Sequence, residues 1–275
     1  MFRPSPLGPR EFVRRYGIEH VVCCFSGGRD SLAATHLTME ALRKVDVGKH
    51  VVFVNTTVMI PPAQEFVEET CRRLGWPLTV LRPKRTFEEF VLEGHREGSQ
   101  GWGMPTMRRR WCCFALKLEP IFRFCASLRG RVGCVTGLRR WESRRRRSYG
   151  QVMFAAYGDP RLGLKRTEVW NYSPILDWGE EEVSRYLRRH GLPEPPWYRL
   201  GIKETCACGV FMTEGELEAV ALHFPEFFRR FLDLEERFRE GGKCFFLRGR
   251  PAGAREVWER VRPRTTLREF LEGSG

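Results

Sequence analysis

A turn of six residues between an apolar run and a helical pattern carries the residue types that bind phosphate. Val21–Phe25 has the composition of a buried strand, and Asp30–Lys44 has the apolar spacing of a helix. The turn consists of Ser26, Gly27, Gly28, Arg29, Asp30 and Ser31. Ligands of open parallel sheets bind beyond the carboxyl ends of the strands. A strand-to-helix turn there offers free backbone N–H groups at the positive end of a helix dipole. The stretch therefore predicts an anion site.

The side chains of this turn suggest separate roles. The two glycines allow an anion to approach the backbone closely, and the two serines add hydroxyl donors. Arg29 can bind phosphate oxygens through its fork of N–H groups. Asp30 has two open roles, which are capping the helix and holding Mg²⁺.

Two separated pairs of cysteines have the spacing of a metal or cluster site. Cys112 and Cys113 are adjacent within a helical pattern, and Cys206 and Cys208 lie in a loop that ends in glycine. Four thiolates from two such pairs suit an iron–sulfur cluster or zinc. Five other cysteines are predicted to be core residues, namely Cys23, Cys24, Cys71, Cys125 and Cys134. Cys244 receives no role.

A third chemically dense stretch, residues 136–147, reads TGLRRWESRRRR. Gly137 follows an apolar strand pattern, where the backbone can approach a nucleotide. Arg139 and Arg144 can neutralise phosphate or sulfate, and Glu142 can orient one of the arginines. A solvated basic loop is the alternative interpretation.

The charge of the chain favours polyanionic partners. Its 275 residues contain 47 Lys and Arg against 34 Asp and Glu, a formal net charge of +13. This excess is typical of proteins that bind nucleic acid or nucleotides, but also of an Arg-rich solvated surface. No apolar run approaches the roughly 20 residues of a membrane helix, and the first residues lack the apolar core of a signal peptide. We therefore expect a cytoplasmic protein without membrane contact and without a disulfide framework.

Strand and helix patterns alternate along the chain, which predicts an α/β fold with a parallel sheet and helices on both faces. Further predicted strands are 51–54, 78–81, 132–136 and 168–173, and further predicted helices are 62–74, 87–94, 112–128, 180–190 and 213–239. The α/β pattern gives way to a mainly helical part near residues 195–209. We therefore expect one domain over residues 1–205 and a small mainly helical region over 206–275, beginning with the Cys-x-Cys loop.

The three stretches together resemble one family. The turn is similar to the PP-loop Ser-Gly-Gly-x-Asp-Ser of the ATP pyrophosphatase superfamily, with Arg29 where relatives usually have Lys. The stretch RWCCFALKLEP resembles a hallmark of adenylyl-sulfate and phosphoadenylyl-sulfate (PAPS) reductases, and GLRRWESRRR resembles another motif of the same family. The sequence YSPILDWGEEEVSRYL at residues 172–187 resembles a further, mainly architectural block. The resemblance extends over about residues 20–210.

The resemblance implies a Rossmann-like PP-loop fold that binds an adenine nucleotide, with or without Mg²⁺. It implies nucleotide contacts from Asn55, Thr56 and Gly137 besides the six turn residues, and catalytic roles for Lys117, Arg139 and Arg144. It also implies a [4Fe–4S] cluster on Cys112, Cys113, Cys206 and Cys208, with zinc as the alternative. The chain departs from the family in three places: the second pair is Cys-x-Cys, Asn55 replaces an acidic residue, and the C-terminal Glu-Cys-Gly-x-His segment is absent.

Three functions remain open from the sequence. The first is reduction of a sulfonucleotide to sulfite with a thiol or ferredoxin-type electron donor. The second is ATP-dependent sulfur transfer to tRNA or DNA, by thiolation or phosphorothioation. The third is a non-catalytic nucleotide-binding regulator. The oligomeric state is left open.

Overall fold

Six strands form one twisted sheet at the centre of the structure, a computed structural model that describes residues 6–93, 103–237, 245–247 and 250–261. The strands are β1 (His20–Cys24), β2 (Gly48–Val54), β3 (Leu78–Leu81), β4 (Val132–Val135), β5 (Val152–Asp159) and β6 (Leu164–Tyr172). Their order is β3-β2-β1-β4-β6-β5, and all neighbours are parallel except β5, which is antiparallel to β6. The predicted parallel sheet is confirmed. Strand β5, which the sequence patterns did not predict, is an edge strand whose residues are mostly half-buried, so it lacks the continuous apolar run of a central strand.

Helices cover both faces of the sheet, as predicted. Their bounds are α1 (Pro9–Tyr16), α2 (Arg29–Ala41), α3 (Pro62–Leu74), α4 (Phe87–Glu93), α5 (Trp111–Cys113), α6 (Glu119–Ser127), α7 (Glu180–Arg189), α8 (Glu214–His223), α9 (Pro225–Glu236) and α10 (Ala254–Val261). Side chains alternate along β1, so Val21 packs with α1, α2, α3 and α7 while Val22 packs with α6. A short hairpin of β7 (Phe245–Leu247) and β8 (Arg250–Ala252) precedes α10.

Two predicted helices are interrupted in the structure. The predicted helix over residues 112–128 contains a π-helical turn, Phe114–Leu118, between α5 and α6. The predicted helix over 213–239 breaks into α8 and α9 at Pro225, whose ring cannot continue the preceding helix. Helix α8 begins with the capping box that Thr213 and Glu216 form.

The C-terminal helices share a hydrophobic cluster with earlier parts of the chain. This cluster includes Phe90 of α4, Trp111 of α5, Trp197, and residues of α8, α9 and α10 such as Phe228 and Val257. The helices therefore pack against the segment that carries the first cysteine pair. The division at residue 205 stays a prediction. None of the helices described is long and apolar enough to cross a membrane.

Candidate functional site

The six-residue turn follows β1 at the carboxyl edge of the sheet and is closed by its own hydroxyl groups. The Ser31 hydroxyl donates to the Gly28 carbonyl at 2.9 Å and accepts from the backbone N–H of Ser26 at 3.2 Å. The hydroxyls of Ser26 and Ser31 lie 3.1 Å apart. Among the described residues, the backbone N–H groups of Gly27 and Gly28 have no hydrogen-bond acceptor. The geometry therefore leaves two N–H donors free at the start of α2, where an anion can be held.

Two glycines are required by the geometry of this turn. Gly27 has φ +87°, a left-handed value that residues with a side chain rarely adopt. A Cβ on Gly137 would lie 2.5 Å from the backbone of Asp30 and Ser31. The loop after β4 therefore packs directly on the first turn of α2, which gives Gly137 a packing role at this site. Its predicted contact with a nucleotide stays a prediction.

Arg29 points toward helix α7 rather than into the turn. Its guanidinium lies 2.7 Å from Glu180 and 3.5 Å from Glu194, and it stacks on the Tyr198 ring at 5.1 Å. Because α7 packs against α2, the first side chain of α2 meets these carboxylates. A phosphate ligand at the turn would have to compete with Glu180 for this guanidinium.

Asp30 is paired with Arg139, which brings two of the predicted site residues together. Arg139 Nε lies 3.0 Å from Asp30 Oδ2, although its N–H is not aligned as a hydrogen bond. Burial raises the pKa of the Asp30 carboxyl, and the Arg139 charge opposes that rise. Asp30 makes no hydrogen bond that caps the helix. Its second predicted role, in holding Mg²⁺, stays a prediction.

The arginine loop, residues 139–147, is ordered by three acidic partners. Arg139 pairs with Asp30, Arg140 Nε lies 2.7 Å from Asp177, and Arg146 pairs with Glu142. Glu142 also accepts a hydrogen bond from the backbone N–H of Arg139 at 2.9 Å. Glu142 thus pairs with the side chain of Arg146 and not with those of Arg139 or Arg144, and its role in orienting a phosphate-binding arginine stays a prediction. Arg144, a predicted catalytic residue, is exposed.

The segment after β2 connects the sheet to the second cysteine pair. Asn55 accepts a hydrogen bond from the backbone N–H of Thr57 at 2.9 Å and donates to Gln64 at 2.7 Å. The Thr56 hydroxyl donates to Cys206 Sγ at 3.8 Å. The backbone N–H of Ile60 donates to the Thr205 carbonyl, and that of Ala207 donates to the Val58 carbonyl, so this segment is tied to the cysteine loop. Of the two predicted nucleotide ligands, Thr56 therefore contacts a cysteine, and Asn55 is the residue before it.

The structure brings the two cysteine pairs together. Cys112 Sγ and Cys208 Sγ are 3.6 Å apart, although 96 positions separate them in the chain. Cys113 interacts electrostatically with Cys206 and Cys208. We call these four residues, Cys112, Cys113, Cys206 and Cys208, the cysteine cluster. Cys112 and Cys208 are buried, and the other two are half-buried.

The four thiols differ in acidity. The pKa of Cys113 is lowered, chiefly because Cys112 donates to its thiolate, with a smaller contribution from Lys117. The pKa of Cys112 is raised by the same hydrogen bond, and that of Cys208 by its bond with Cys112. The pKa of Cys206 is raised by its contact with Cys208 and by burial. Without a bound metal, Cys113 is therefore the thiol that ionises most readily in this cluster.

The donor set of the cysteine cluster suits a thiolate-bound metal, but its present geometry is not that of a metal site. Zinc with Zn–S bonds of about 2.3 Å in a tetrahedron places sulfurs about 3.8 Å apart, close to the separation of Cys112 and Cys208. Within the described ranges, however, no group of three or more His, Cys, Asp or Glu side chains is arranged to hold a metal ion.

Lys117 lies between the turn and the cysteine cluster. It belongs to the π-helical turn Phe114–Leu118, a distortion often found at functional sites. Its charge lowers the pKa of Cys113 and of Cys24, which is the last residue of β1. It also opposes the burial that raises the pKa of Glu204. Lys117 thus supplies positive charge to the end of β1 and to a thiol of the cysteine cluster.

The sequence analysis did not single out three residues of the candidate site, two beside the turn and one beside the second cysteine pair. Trp197 is fully buried, its ring lies 3.4 Å from the Cβ position of Gly27, and its Nε1 has no hydrogen-bond partner among the described residues. The Tyr198 hydroxyl accepts from the backbone N–H of Arg29 at 3.5 Å. Glu204 precedes the second cysteine pair. The sequence signal for this region was the Pro-rich composition of residues 191–208, which predicts a loop.

The remaining cysteines follow the core prediction with one correction. Cys23, Cys71, Cys125 and Cys134 are buried, but Cys24 is half-buried. A hydrogen bond from Cys134 lowers the pKa of the Cys24 thiol, and Lys117 contributes to the same effect. Cys24 packs against the hydrophobic cluster of Val22 and Cys134 but is less buried than predicted, because it is the last residue of β1. Cys244 lies outside the described residues.

Comparisons with known proteins agree with the sequence motifs. The family model of the phosphoadenosine phosphosulfate reductase domain matches residues 20–237. An adenosine 5′-phosphosulfate reductase of Allochromatium vinosum is 33% identical over 202 residues, which cover 72% of each chain. Two uncharacterized proteins of Methanocaldococcus jannaschii are 27% identical over 220 and 223 residues. This chain spans only 47% and 42% of their lengths.

Among solved structures, a PAPS reductase from Candida auris, a phosphate complex, superposes with a TM-score of 0.46 at 19% sequence identity. The superposition covers 72% of this chain and 87% of that chain. A match this loose says nothing about the site.

Proposed function

Because this chain belongs to the phosphoadenosine phosphosulfate reductase family, we propose that it is an oxidoreductase that reduces a sulfonucleotide to sulfite. One observation carries the proposal. The six-residue turn, the Asp30–Arg139 pair, Lys117 and the cysteine cluster lie at the carboxyl edge of the sheet. An adenylyl sulfate has a matching order of groups, which is a phosphate and, bonded to it through oxygen, the sulfate whose sulfur is reduced.

The chain's own groups would bind and polarise such a substrate. The free N–H groups of Gly27 and Gly28 would hold the phosphate at the start of α2. Arg139 and Lys117 would neutralise the charge that moves onto the leaving phosphate and the sulfite. Thr56 and Asn55 would line the side of the site that faces the cysteines.

The reaction needs two electrons, which we assign to a thiol donor. A thiolate would attack the sulfate sulfur, form an S–S bond and break the S–O bond to the phosphate, so that AMP or its 3′-phosphate form leaves. A second thiol would then attack the sulfur of the first, leaving a disulfide and releasing sulfite. A ferredoxin-type donor is the alternative electron source. We place the attacking thiol on the donor, because the four thiols of the cysteine cluster are the ones we propose as metal ligands.

We propose a [4Fe–4S] cluster, with zinc as the alternative, on Cys112, Cys113, Cys206 and Cys208. Support comes from the donor chemistry and from the approach of the two pairs, with Cys112 Sγ 3.6 Å from Cys208 Sγ. When bound, the group would supply an electrostatic field beside the sulfate. Lys117 and Thr56 contact or face the thiols and would orient the substrate relative to them.

A second candidate function is ATP-dependent sulfur transfer to tRNA or DNA. The observation that favours it is the complete Ser-Gly-Gly-x-Asp-Ser turn, in which Asp30 would hold Mg²⁺ beside a triphosphate. In this reaction, ATP would adenylate the acceptor and release pyrophosphate, and a cluster-bound or persulfide sulfur would then displace AMP.

An anaerobic assay separates the two candidates. The purified protein is incubated with adenylyl sulfate, with PAPS, or with ATP and tRNA, each with dithiothreitol as the electron donor. We expect sulfite release from one of the sulfonucleotides. Lys117→Met should lower that rate about tenfold to hundredfold, because a charge that stabilises the transition state is lost. Lys165→Met, an exposed lysine on β6, is the matched control.

The outcome that contradicts reduction is also specific. Pyrophosphate release that requires tRNA, without any sulfite from either sulfonucleotide, would replace reduction by sulfur transfer. Equal rates for Lys117→Met and the control would remove Lys117 from the site.

A further inference from the structure

Only three of the six arginines in the arginine loop form ion pairs with described residues of the protein. It contains six arginines and one glutamate. Arg139, Arg140 and Arg146 have acidic partners, which are Asp30, Asp177 and Glu142 respectively. The other three arginines are exposed, and no acidic side chain in the described part of the chain pairs with them. These three are Arg144, Arg145 and Arg147.

One aromatic residue, Trp141, lies in the same loop as these three arginines. Trp141 is 54% exposed, although a tryptophan side chain is usually largely covered. It lies in the short 3₁₀ segment Arg140–Glu142. An exposed indole beside unpaired guanidinium groups combines a stacking platform with phosphate-binding charges.

Hydrogen bonds within the protein hold the arginine loop in one conformation. Arg140 bonds to Asp177 and also donates to the carbonyls of Arg147 and Tyr149 at 2.8 and 2.7 Å. These bonds connect the beginning of the loop to its end. The position of Trp141 and the free arginines is therefore set before any ligand binds, which lowers the entropy cost of binding.

The loop also borders the candidate site. Arg139, the first residue of the loop, pairs with Asp30 of the six-residue turn, and its Nε lies 3.0 Å from Asp30 Oδ2. A strand that lies along the loop would therefore pass the mouth of the site.

We propose that Trp141, Arg145 and Arg147 form a docking surface for single-stranded nucleic acid, in which an unpaired base stacks on Trp141 and the flanking phosphates contact the arginines. Charge complementarity identifies the occupant. The unpaired guanidinium groups favour a polyanion, and the exposed indole in the neighbouring 3₁₀ segment favours one with planar bases. The net charge of +13 favours the same partner. This inference goes beyond the proposed function, because an enzyme without such a surface can still release sulfite.

Fluorescence anisotropy of labelled oligoadenylates of about twelve nucleotides tests the surface. We expect Trp141→Ala to weaken binding of the single strand about tenfold, whereas Trp141→Phe restores most of it. Arg145→Gln combined with Arg147→Gln should reduce the slope of log affinity against log salt by about 1.4, since each lost phosphate contact removes about 0.7. RNA and DNA versions of the oligomer show which backbone is preferred.

A charge-matched control separates this site from general attraction. Arg14→Gln with Arg15→Gln removes the same charge from α1, whose end contacts Arg131 at the opposite edge of the sheet. That double variant should change affinity less than about twofold. Circular dichroism confirms that all variants are folded.

Several outcomes would overturn the proposal. One is equal weakening by the Arg14 and Arg15 double variant, which would reduce the effect to net charge. A second is an unchanged affinity in Trp141→Ala, or an equal loss of heparin binding in that variant, because heparin has no bases to stack. A third is displacement of the oligomer by excess AMP, which would place it in the turn instead.

Discussion

The strand-to-helix turn and the cysteine cluster differ in how far apart their parts lie in the sequence. The turn is closed within six residues, by the Ser31 hydroxyl bonding to the Ser26 N–H and the Gly28 carbonyl. The cysteine cluster joins residues 112–113 to residues 206–208, and a backbone bridge between Met59 and Cys206 holds the second pair in place. The turn is largely a local structure, whereas the cluster is a product of tertiary packing.

This difference teaches which part of the site depends on which part of the fold. The turn is formed by β1 and α2, with the loop after β4 and the ring of Trp197 packed on it. The cluster needs α5, the segment after β2 and the loop before α8 to be docked at once. We therefore expect nucleotide binding to survive changes that disrupt the cluster.

We expect the largest effect from a variant that breaks the cysteine cluster and leaves the turn intact. Cys208→Ser should abolish bound iron and acid-labile sulfide in anaerobically prepared protein, because one thiolate of the proposed set is lost. The affinity for AMP should change less than about threefold. Metal analysis and calorimetric titration measure the two quantities, and Cys71→Ser, a buried thiol elsewhere, is the control.

Two results would contradict this view. Iron retained at the wild-type level would remove Cys208 from the ligand set, and zinc in place of iron would favour the alternative metal. Joint loss of metal and AMP binding would show that the turn depends on the cluster after all.

We expect a smaller effect from a change in the loop after β4, which packs on the turn. In Gly137→Ala, the new methyl group would meet the backbone of Asp30 and Ser31 at 2.5 Å, and backbone atoms cannot move aside easily. We expect a loss of about 2–3 kcal/mol in the free energy of unfolding and weaker AMP binding. Urea denaturation and titration measure them.

Gly215→Ala is the matched control for that variant. Gly215 lies in the first turn of α8 with nothing within 4 Å of its Cβ position, so alanine should be neutral or stabilising there. A Gly137→Ala protein as stable as the control would mean that the loop after β4 does not brace the turn.

The smallest expected effect concerns the buried charge of Asp30. Burial raises the pKa of this carboxyl in the folded state, so the folded protein binds the proton more tightly than the unfolded chain. The contribution of Asp30 to stability therefore decreases as the pH rises through the raised pKa. Asp30→Asn should be slightly more stable than wild type at neutral pH and equally stable in acid.

Urea denaturation over a pH series measures that difference. Asp46→Asn, at an exposed position, is the control for the loss of one negative charge. A variant less stable than wild type at neutral pH would show that attraction to Arg139 outweighs the cost of burial.

Much of the sheet could be predicted, because its central strands are continuous apolar runs between turn residues. The bounds of β3 and α3 agree with the pattern at both ends. Strand β5 and helix α1 could not be found in this way. Strand β5 lies at the edge and gains its place by pairing with β6. Helix α1 has Phe12 as its one buried residue, so its pattern is weak.

The sequence predicted which residues belong to the candidate site better than it predicted their contacts. The motifs identified the turn, the arginine loop and both cysteine pairs. They did not show that Arg29 would face Glu180, or that Arg139 would face Asp30. They also gave no indication that Cys24 would be half-buried near Lys117. Partners that are distant in sequence leave no periodic signal in either segment.

The sequence by itself determined the Gly-rich turn between β1 and α2, the strands and helices with strong apolar patterns, and the presence of two thiol pairs with a lysine near the first of them. Those properties depend on residues within one or two turns of each other, where backbone geometry and hydrogen bonding are local. Tertiary structure alone decided that the two thiol pairs meet, that Gly137 braces α2 and that three arginines of the loop have no acidic partner among the described residues. These outcomes depend on which helices and loops pack side by side, and that packing is set by burial of apolar surface across the whole chain.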